Sequence, residues 1–175
     1  RYVGADIDGE AIAWCRAHLP FGEWVENRPD PPLPLPDASV ELTLGLSVLA
    51  QLDEAMGLAW LGELRRVTAP GGAVILSVNG VAAAEATLHA AERAAFEAQG
   101  FAHVVGHTGP RKTDGLPDFC QRSYHHPDYV ARVWSRFFRV AAHLPCGMTE
   151  EQDAVILVRP HEGWAPVRAP RASPP

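Results

Sequence analysis

Hydrophobic and polar positions along this chain switch repeatedly between a period of two and a period near 3.6. Tyr2-Val3-Gly4-Ala5 is a short apolar run that meets the acids Asp6 and Asp8, which predicts a strand over 2–5. A helix follows from about Gly9 to His18, with Ala11, Ile12 and Cys15 on one face, Asp8 as its cap and Pro20 as its stop. Glu23–Glu26 again reads as a strand. Arg28–Pro36 holds five prolines in nine residues and must be an extended connection. Val40–Gly45 then predicts a buried strand, and Leu58, Leu61, Leu64 and Arg65 recur at helical spacing within a helix over Asp53–Val67. Pro70-Gly71-Gly72 is expected to break the chain before Ala73–Val78, the clearest strand.

The second half continues the alternation. Alanine-rich residues 81–99 predict one helix, closed by Gly100 in a left-handed cap. The next twenty residues are expected to be loop. Pro127 suits the first turn of a helix over 127–136. Phe137–Leu144 and Gln152–Val158 read as two strands of an antiparallel hairpin turned at Pro145–Glu151. Residues 161–175, with four prolines and no apolar period, read as a disordered tail. Strands alternating with helices are the mark of a sheet covered on both faces, so the expected fold class is α/β, a doubly wound and mostly parallel sheet with a late antiparallel hairpin. One domain over residues 1–160 accounts for the pattern.

Composition narrows the partners. With 175 residues and 47% hydrophobic content the chain can bury a core of ordinary size. A net charge of −6, with Lys112 the single lysine among 15 basic residues, excludes a nucleic-acid surface and favours a small-molecule partner. Cys15, Cys120 and Cys146 form no metal-binding pattern, so reduced thiols and a cytoplasmic location are expected. No run approaches the ~18 apolar residues of a membrane span, so no membrane partner is expected.

The chemistry begins at Asp6. An acid ending an early strand ahead of a helix is where doubly wound folds grip a ribose, and a glycine-rich turn should stand about twenty residues earlier. The chain has no Gly-x-Gly and starts at Arg1, so it reads as a domain joined after its first strand.

Three segments in order carry a resemblance. Tyr2-Val3-Gly4-Ala5-Asp6-Ile7-Asp8, Leu35-Pro36-Asp37-Ala38-Ser39-Val40-Glu41-Leu42 and Leu61-Gly62-Glu63-Leu64-Arg65-Arg66-Val67-Thr68-Ala69-Pro70-Gly71-Gly72 resemble the second strand and the leads into the fourth and fifth strands of class I S-adenosylmethionine-dependent methyltransferases. The match covers roughly residues 2–80; Ser123–Val130 and Gln152–Leu157 are more loosely similar to bacterial small-molecule members. The resemblance implies a Rossmann-like fold, S-adenosyl-L-methionine as cofactor, and a methyl acceptor that is an oxygen or nitrogen of a small molecule or saccharide. It gives Asp6 the ribose hydroxyls, where a helix cap or turn acid is the alternative, and Ile7 the adenine face, where core packing is the alternative. Asn27 stands where the family often has an acid reading adenine. Gly45 and Ser47 would border the methyl group. Gln51 replaces a histidine common in similar sequences, so it can orient an acceptor but not take its proton. Asn79 and Tyr124 are further acceptor-binding candidates. His125 is the candidate base and His126 a helix-start residue. His103 and His107 lack carboxylate partners at metal spacing, and no metal is assigned. Trp60 and Trp134 read as structural.

In that family the absent strand is central, between the second and fourth. Without it, the chain is expected to be poorly stable, or its two inner strand edges to close on each other. A non-catalytic remnant or interaction module is the alternative function, and a nicotinamide-dependent oxidoreductase a further one.

Overall fold

The computed structural model describes residues 1–106, 117–161 and 163, and divides the chain into two compact units, Arg1–Pro36 and Asp37–Pro175. The expected tail and His107 fall, apart from His161 and Gly163, outside the described residues.

The first unit is one β-α-β turn of chain. Strand β1 (Val3–Asp6) pairs in parallel with β2 (Glu23–Glu26), Asp6 opposite Glu26, and helix α1 (Gly9–His18) connects them. Asp8 caps α1 by accepting from the N–H groups of Glu10 and Ala11 at 2.9 and 3.0 Å. Tyr2, Phe21 and Trp24 stack edge-on or tilted at 5.5–5.8 Å, and Trp24 Nε1 donates to the Leu19 carbonyl.

The second unit is built on β4 (Thr68–Asn79). Its predecessors are β3 (Val40–Gly45) and helix α2 (Glu54–Val67), the latter capped by Asp53 and burying Trp60, Leu61, Leu64 and Val67. Then come α3 (Val81–Thr87), α4 (Ala90–Gln99), β5 (Phe101–Val104), β6 (Arg122–His125), α5 (Pro127–Val133) with a following 3-10 turn, β7 (Arg139–Leu144) and β8 (Gln152–Val158). On one side β4 pairs in parallel with β3, ending at Gly45 opposite Leu76, and then with β6 where Asn79 meets Tyr124. On the other it pairs antiparallel with β8, which pairs with β7; β5 pairs antiparallel with β6. The expected α/β class holds: the sheet is mixed, with β3 and β6 parallel to β4 and the late β7–β8 hairpin antiparallel. The two units thus carry separate sheets, β1-β2 in the first and the six remaining strands in the second.

Three expectations are corrected. Pro70-Gly71-Gly72 does not precede the strand but lies inside it, as an irregularity where the register with β3 jumps; Gly71 takes φ +81° and its N–H donates to Arg159 O. The alanine-rich helix is two helices, because Leu88 turns extended to bury itself with Ala84, Phe96 and Tyr124, and the His89 N–H restarts the chain on the Glu92 carboxylate. The stretch read as loop opens with β5, and β6 follows just after it. Gly100 does take the left-handed cap, at φ +77°.

Two of the three sequence segments that carried the resemblance are joined by one side chain. Arg66 donates two hydrogen bonds to Glu63, at 2.9 and 2.6 Å, and a third to Asp37 at 2.6 Å, fixing the lead into β3 against the end of α2. Both acids push the Arg66 guanidinium pKa upward. Among the described residues no helix is long and apolar enough to cross a membrane, and no disulfide joins the cysteines.

Gly80 follows β4 because a Cβ there would lie 1.9 Å from Asp153 Oδ2. Gly80→Ala should therefore destabilise the protein by about 2 kcal/mol or more in urea unfolding. Gly57→Ala, inside α2 with no atom within 4 Å of the new Cβ, should instead stabilise by roughly 0.5–1 kcal/mol.

Candidate functional site

In the first unit, Asp6 and Asn27 stand at the carboxyl ends of adjacent parallel strands, with the Asn27 N–H donating to the Asp6 carbonyl at 2.9 Å. Asp6 does part of the turn work named as its alternative: Oδ1 accepts from the Asp8 N–H at 3.0 Å. Its exposed carboxylate keeps the second oxygen without a partner among the described residues, and that is the group a vicinal diol requires. Asn27 turns its Nδ2 to the Arg28 carbonyl at 2.8 Å, and Ile7 is half-buried.

In the second unit the corresponding edge is made by the ends of β3, β4 and β6. Gly45 lies against β4 so closely that a Cβ would stand 2.7 Å from Leu76 Cδ2. The chain then leaves β4, and residues 46–52 bend across toward β6. Ser47 holds φ +57°, which a non-glycine residue adopts only when its surroundings impose it. Its N–H donates to the buried Ser77 Oγ at 2.6 Å and its hydroxyl to Gln152 Oε1 at 3.1 Å. The carbonyls of Ala50 and Gln51 accept from the N–H groups of Ser123 and Gln121 at 2.8 and 2.9 Å, and Leu52 O accepts from Ser123 Oγ. The loop thus fills the place beside β6 that a strand would occupy.

The candidate residues separate on this frame. Ser47, Gln51 and Asn79 gather at one edge. Asn79, however, spends its amide inside the protein: Nδ2 donates to Ala50 O and Ser123 O at 3.3 and 3.0 Å, and Oδ1 faces Gln152 Nε2 at 3.4 Å. Tyr124 lies at the same register but points into the core, 3% exposed, its hydroxyl 2.9 Å from Thr87 Oγ1. Neither side chain has a group left for an acceptor in this arrangement.

His125 is likewise interior. Its ring sits edge-on to Phe101 and Trp134 at 5.1 and 5.5 Å, and Nδ1 is buried with no hydrogen-bond partner. Burial, with a smaller contribution from His143, holds its pKa down at about 3, so the imidazole is neutral and a weak base. The acid–base role expected of it fails on that placement. His126 caps α5 by accepting the Asp128 N–H, and half-buried His103 meets Ser123 Oγ at 2.8 Å.

Two residues at the start of β8 were quoted in the resemblance but given no role. Gln152 bridges Ser47 and Asn79. Asp153 receives His143 Nε2 at 2.8 Å and the Cys146 N–H at 2.9 Å in a nearly solvent-free pair. The available signal was an amide and an acid opening an otherwise apolar strand, positions that must find partners if buried. Elsewhere in this unit a recess of about 520 Å³ lies among Glu54, Gln99, Phe101, Tyr129 and Arg132. Two of its polar contacts are internal: Tyr129 donates to Glu54 at 2.7 Å, and Arg132 Nη2 to the Gln99 carbonyl at 3.2 Å.

Solved structures with a similar fold include an S-adenosylmethionine-dependent methyltransferase from Mesorhizobium loti, with 17% identity, a TM-score of 0.61, and 90% of this chain and 80% of that one covered. A methyltransferase from Methanosarcina mazei matches at 16% identity and a TM-score of 0.58, covering 91% and 82%. The glycopeptide N-methyltransferase MtfA, solved with S-adenosyl-L-homocysteine, matches at 18% and 0.58, covering 90% and 73%. No protein-family model and no functionally curated protein matches the sequence. The chain has the α/β fold of S-adenosylmethionine-dependent methyltransferases.

The burial of His125 has a thermodynamic consequence. Its folded pKa of about 3 lies below the ordinary 6.5, so between those values the unfolded chain binds one more proton. Stability should fall as pH drops below 6.5, with a His125 contribution of up to ~1.4 kcal/mol per pH unit. His125→Phe should remove that contribution, which urea unfolding of both proteins between pH 7 and 4.5 will measure.

Proposed function

We propose that this protein is an S-adenosylmethionine-dependent methyltransferase that transfers a methyl group to an oxygen or nitrogen of a small molecule or saccharide. The observation that carries the reading is Asp6: an exposed carboxylate at the carboxyl end of a parallel strand, with one oxygen committed to the turn and the other open, in a chain with the methyltransferase fold. Asp6 fits the two ribose hydroxyls of the adenosyl group, with Ile7 against adenine and Asn27 offering an amide where the family often places an acid.

When bound, the cofactor supplies an electrophilic methyl group on a sulfonium, which leaves as a neutral thioether. The protein is then required to align rather than to protonate, and the neutral, interior His125 is compatible with that demand. In the second unit the resemblance assigns Gly45 and Ser47 to the cofactor and Gln51 to the acceptor, and we retain those assignments. Gln51 orients through hydrogen bonds, and the acceptor's proton passes to solvent.

Isothermal titration with S-adenosylhomocysteine and with NAD tests the reading. Binding of the first alone is expected, and Asp6→Ala should weaken it about 10- to 100-fold, the loss of charge-assisted bonds on the order of 1–3 kcal/mol. Unchanged affinity in that variant overturns the ribose assignment. Binding of NAD alone would make the chain an oxidoreductase, and binding of neither a fold kept as an interaction module.

A further inference from the structure

We propose that Gln152 is a positioning residue that locks loop 46–52 into the conformation it takes at the end of β3. The argument turns on which atoms can donate. Asn79 Nδ2 faces two carbonyls, Ala50 O and Ser123 O, which fixes the orientation of its amide, because the flipped form would set oxygen against oxygen. What Asn79 presents to position 152 is therefore an acceptor, Oδ1. On the other side Ser47 presents a hydroxyl whose hydrogen points to Gln152 Oε1. The side chain at 152 must accept from one neighbour and donate to the other. A glutamine amide does both, a glutamate of the same shape only accepts, and a methionine does neither.

The clamp acts on a strained residue. Ser47 at φ +57° is kept by its N–H on Ser77 Oγ and its hydroxyl on Gln152. Through Asn79 the same chain of bonds reaches the Ala50 carbonyl, in the middle of the loop, and β6 at Ser123. Gln152 itself is rigidly placed, paired in the β4 ladder opposite Asn79 and contributing its carbonyl to the N–H groups of Met148 and Thr149. One side chain on β8 thereby sets the shape of a loop about a hundred residues away in sequence. That this loop borders the cofactor rests on the function proposed above; the clamp does not.

Hydrogen exchange of the whole chain, read by mass spectrometry and compared with wild type at the same pH, tests it with Gln152→Glu, Gln152→Met and Ser47→Ala. Peptides spanning 46–52 should exchange about tenfold faster in both Gln152 variants, with α2 and β7 unchanged. Adding Ser47→Ala to Gln152→Met should accelerate the loop no further, since the two changes break one link. S-adenosylhomocysteine affinity should fall about fivefold in Gln152→Glu, through the loop alone. Wild-type protection of the loop in Gln152→Glu overturns the proposal, as does a loss of protection spread evenly through the second unit. A wild-type chain that fails to bind S-adenosylhomocysteine overturns the cofactor reading, and the exchange result then decides the clamp by itself.

Discussion

Backbone pairing along β4 is the constraint on which the second unit depends. The stretch of this strand from Val74 to Val78 is largely buried and has to satisfy its N–H and C=O groups on two edges. Strand β8 serves one edge from Ala73 to Asn79. The other edge is shared: β3 serves it as far as Leu76 and β6 takes over at Asn79. Where β3 departs, the chain cannot simply turn away, because the N–H groups of β6 also need acceptors. The carbonyls of Ala50 and Gln51 supply them. The shape of the loop carrying Ser47 and Gln51 therefore follows from ladder bookkeeping as much as from any ligand.

The same logic explains why so many polar side chains near this edge are structural. Ser77, Ser123 and Asp153 are each almost wholly buried; the two serines satisfy groups that the handover from β3 to β6 leaves open, and Asp153 satisfies the Cys146 N–H and His143 within the β7–β8 hairpin. Asn79 belongs with them. A cluster of polar residues at a strand edge invites a binding interpretation, yet here most of its hydrogen-bonding capacity is spent before any ligand arrives. The groups that keep capacity are Asp6 in the first unit and the Gln51 side chain in the second.

Much of the fold was legible because its long elements carry strong periods. The helix at 54–67 shows apolar residues at helical spacing, and its cap Asp53 is of the expected type. Strand β4 holds the apolar run Ala73–Leu76, and β8 the run Ala154–Val158. Strands β5 and β6 escaped notice because they are four residues each, and Arg122-Ser123-Tyr124-His125 has a polar surface's composition while being mostly interior. Intrinsic propensity likewise favoured one helix over 81–99; the break at Leu88 comes from burying that side chain in the core, which no local signal encodes. Pro70-Gly71-Gly72 has the composition of a turn, and only the pairing on both sides holds it within a strand.

The candidate site was legible in proportion to how locally each residue acts. Asp6 and Asn27 are placed by adjacent short strands, and the strand-helix-strand spacing announces them. His125 was misread because its type suggests titration, whereas its surroundings, Phe101, Trp134 and Tyr129, remove the solvent that a charged imidazole requires. Gln152 was passed over for the opposite reason. An amide carries no reactivity to attract attention, and its value lies in accepting and donating at once, which becomes visible only when Ser47 and Asn79 are seen to present a donor and an acceptor to the same side chain. Under the function proposed above, such a residue acts by alignment, without touching a reacting atom.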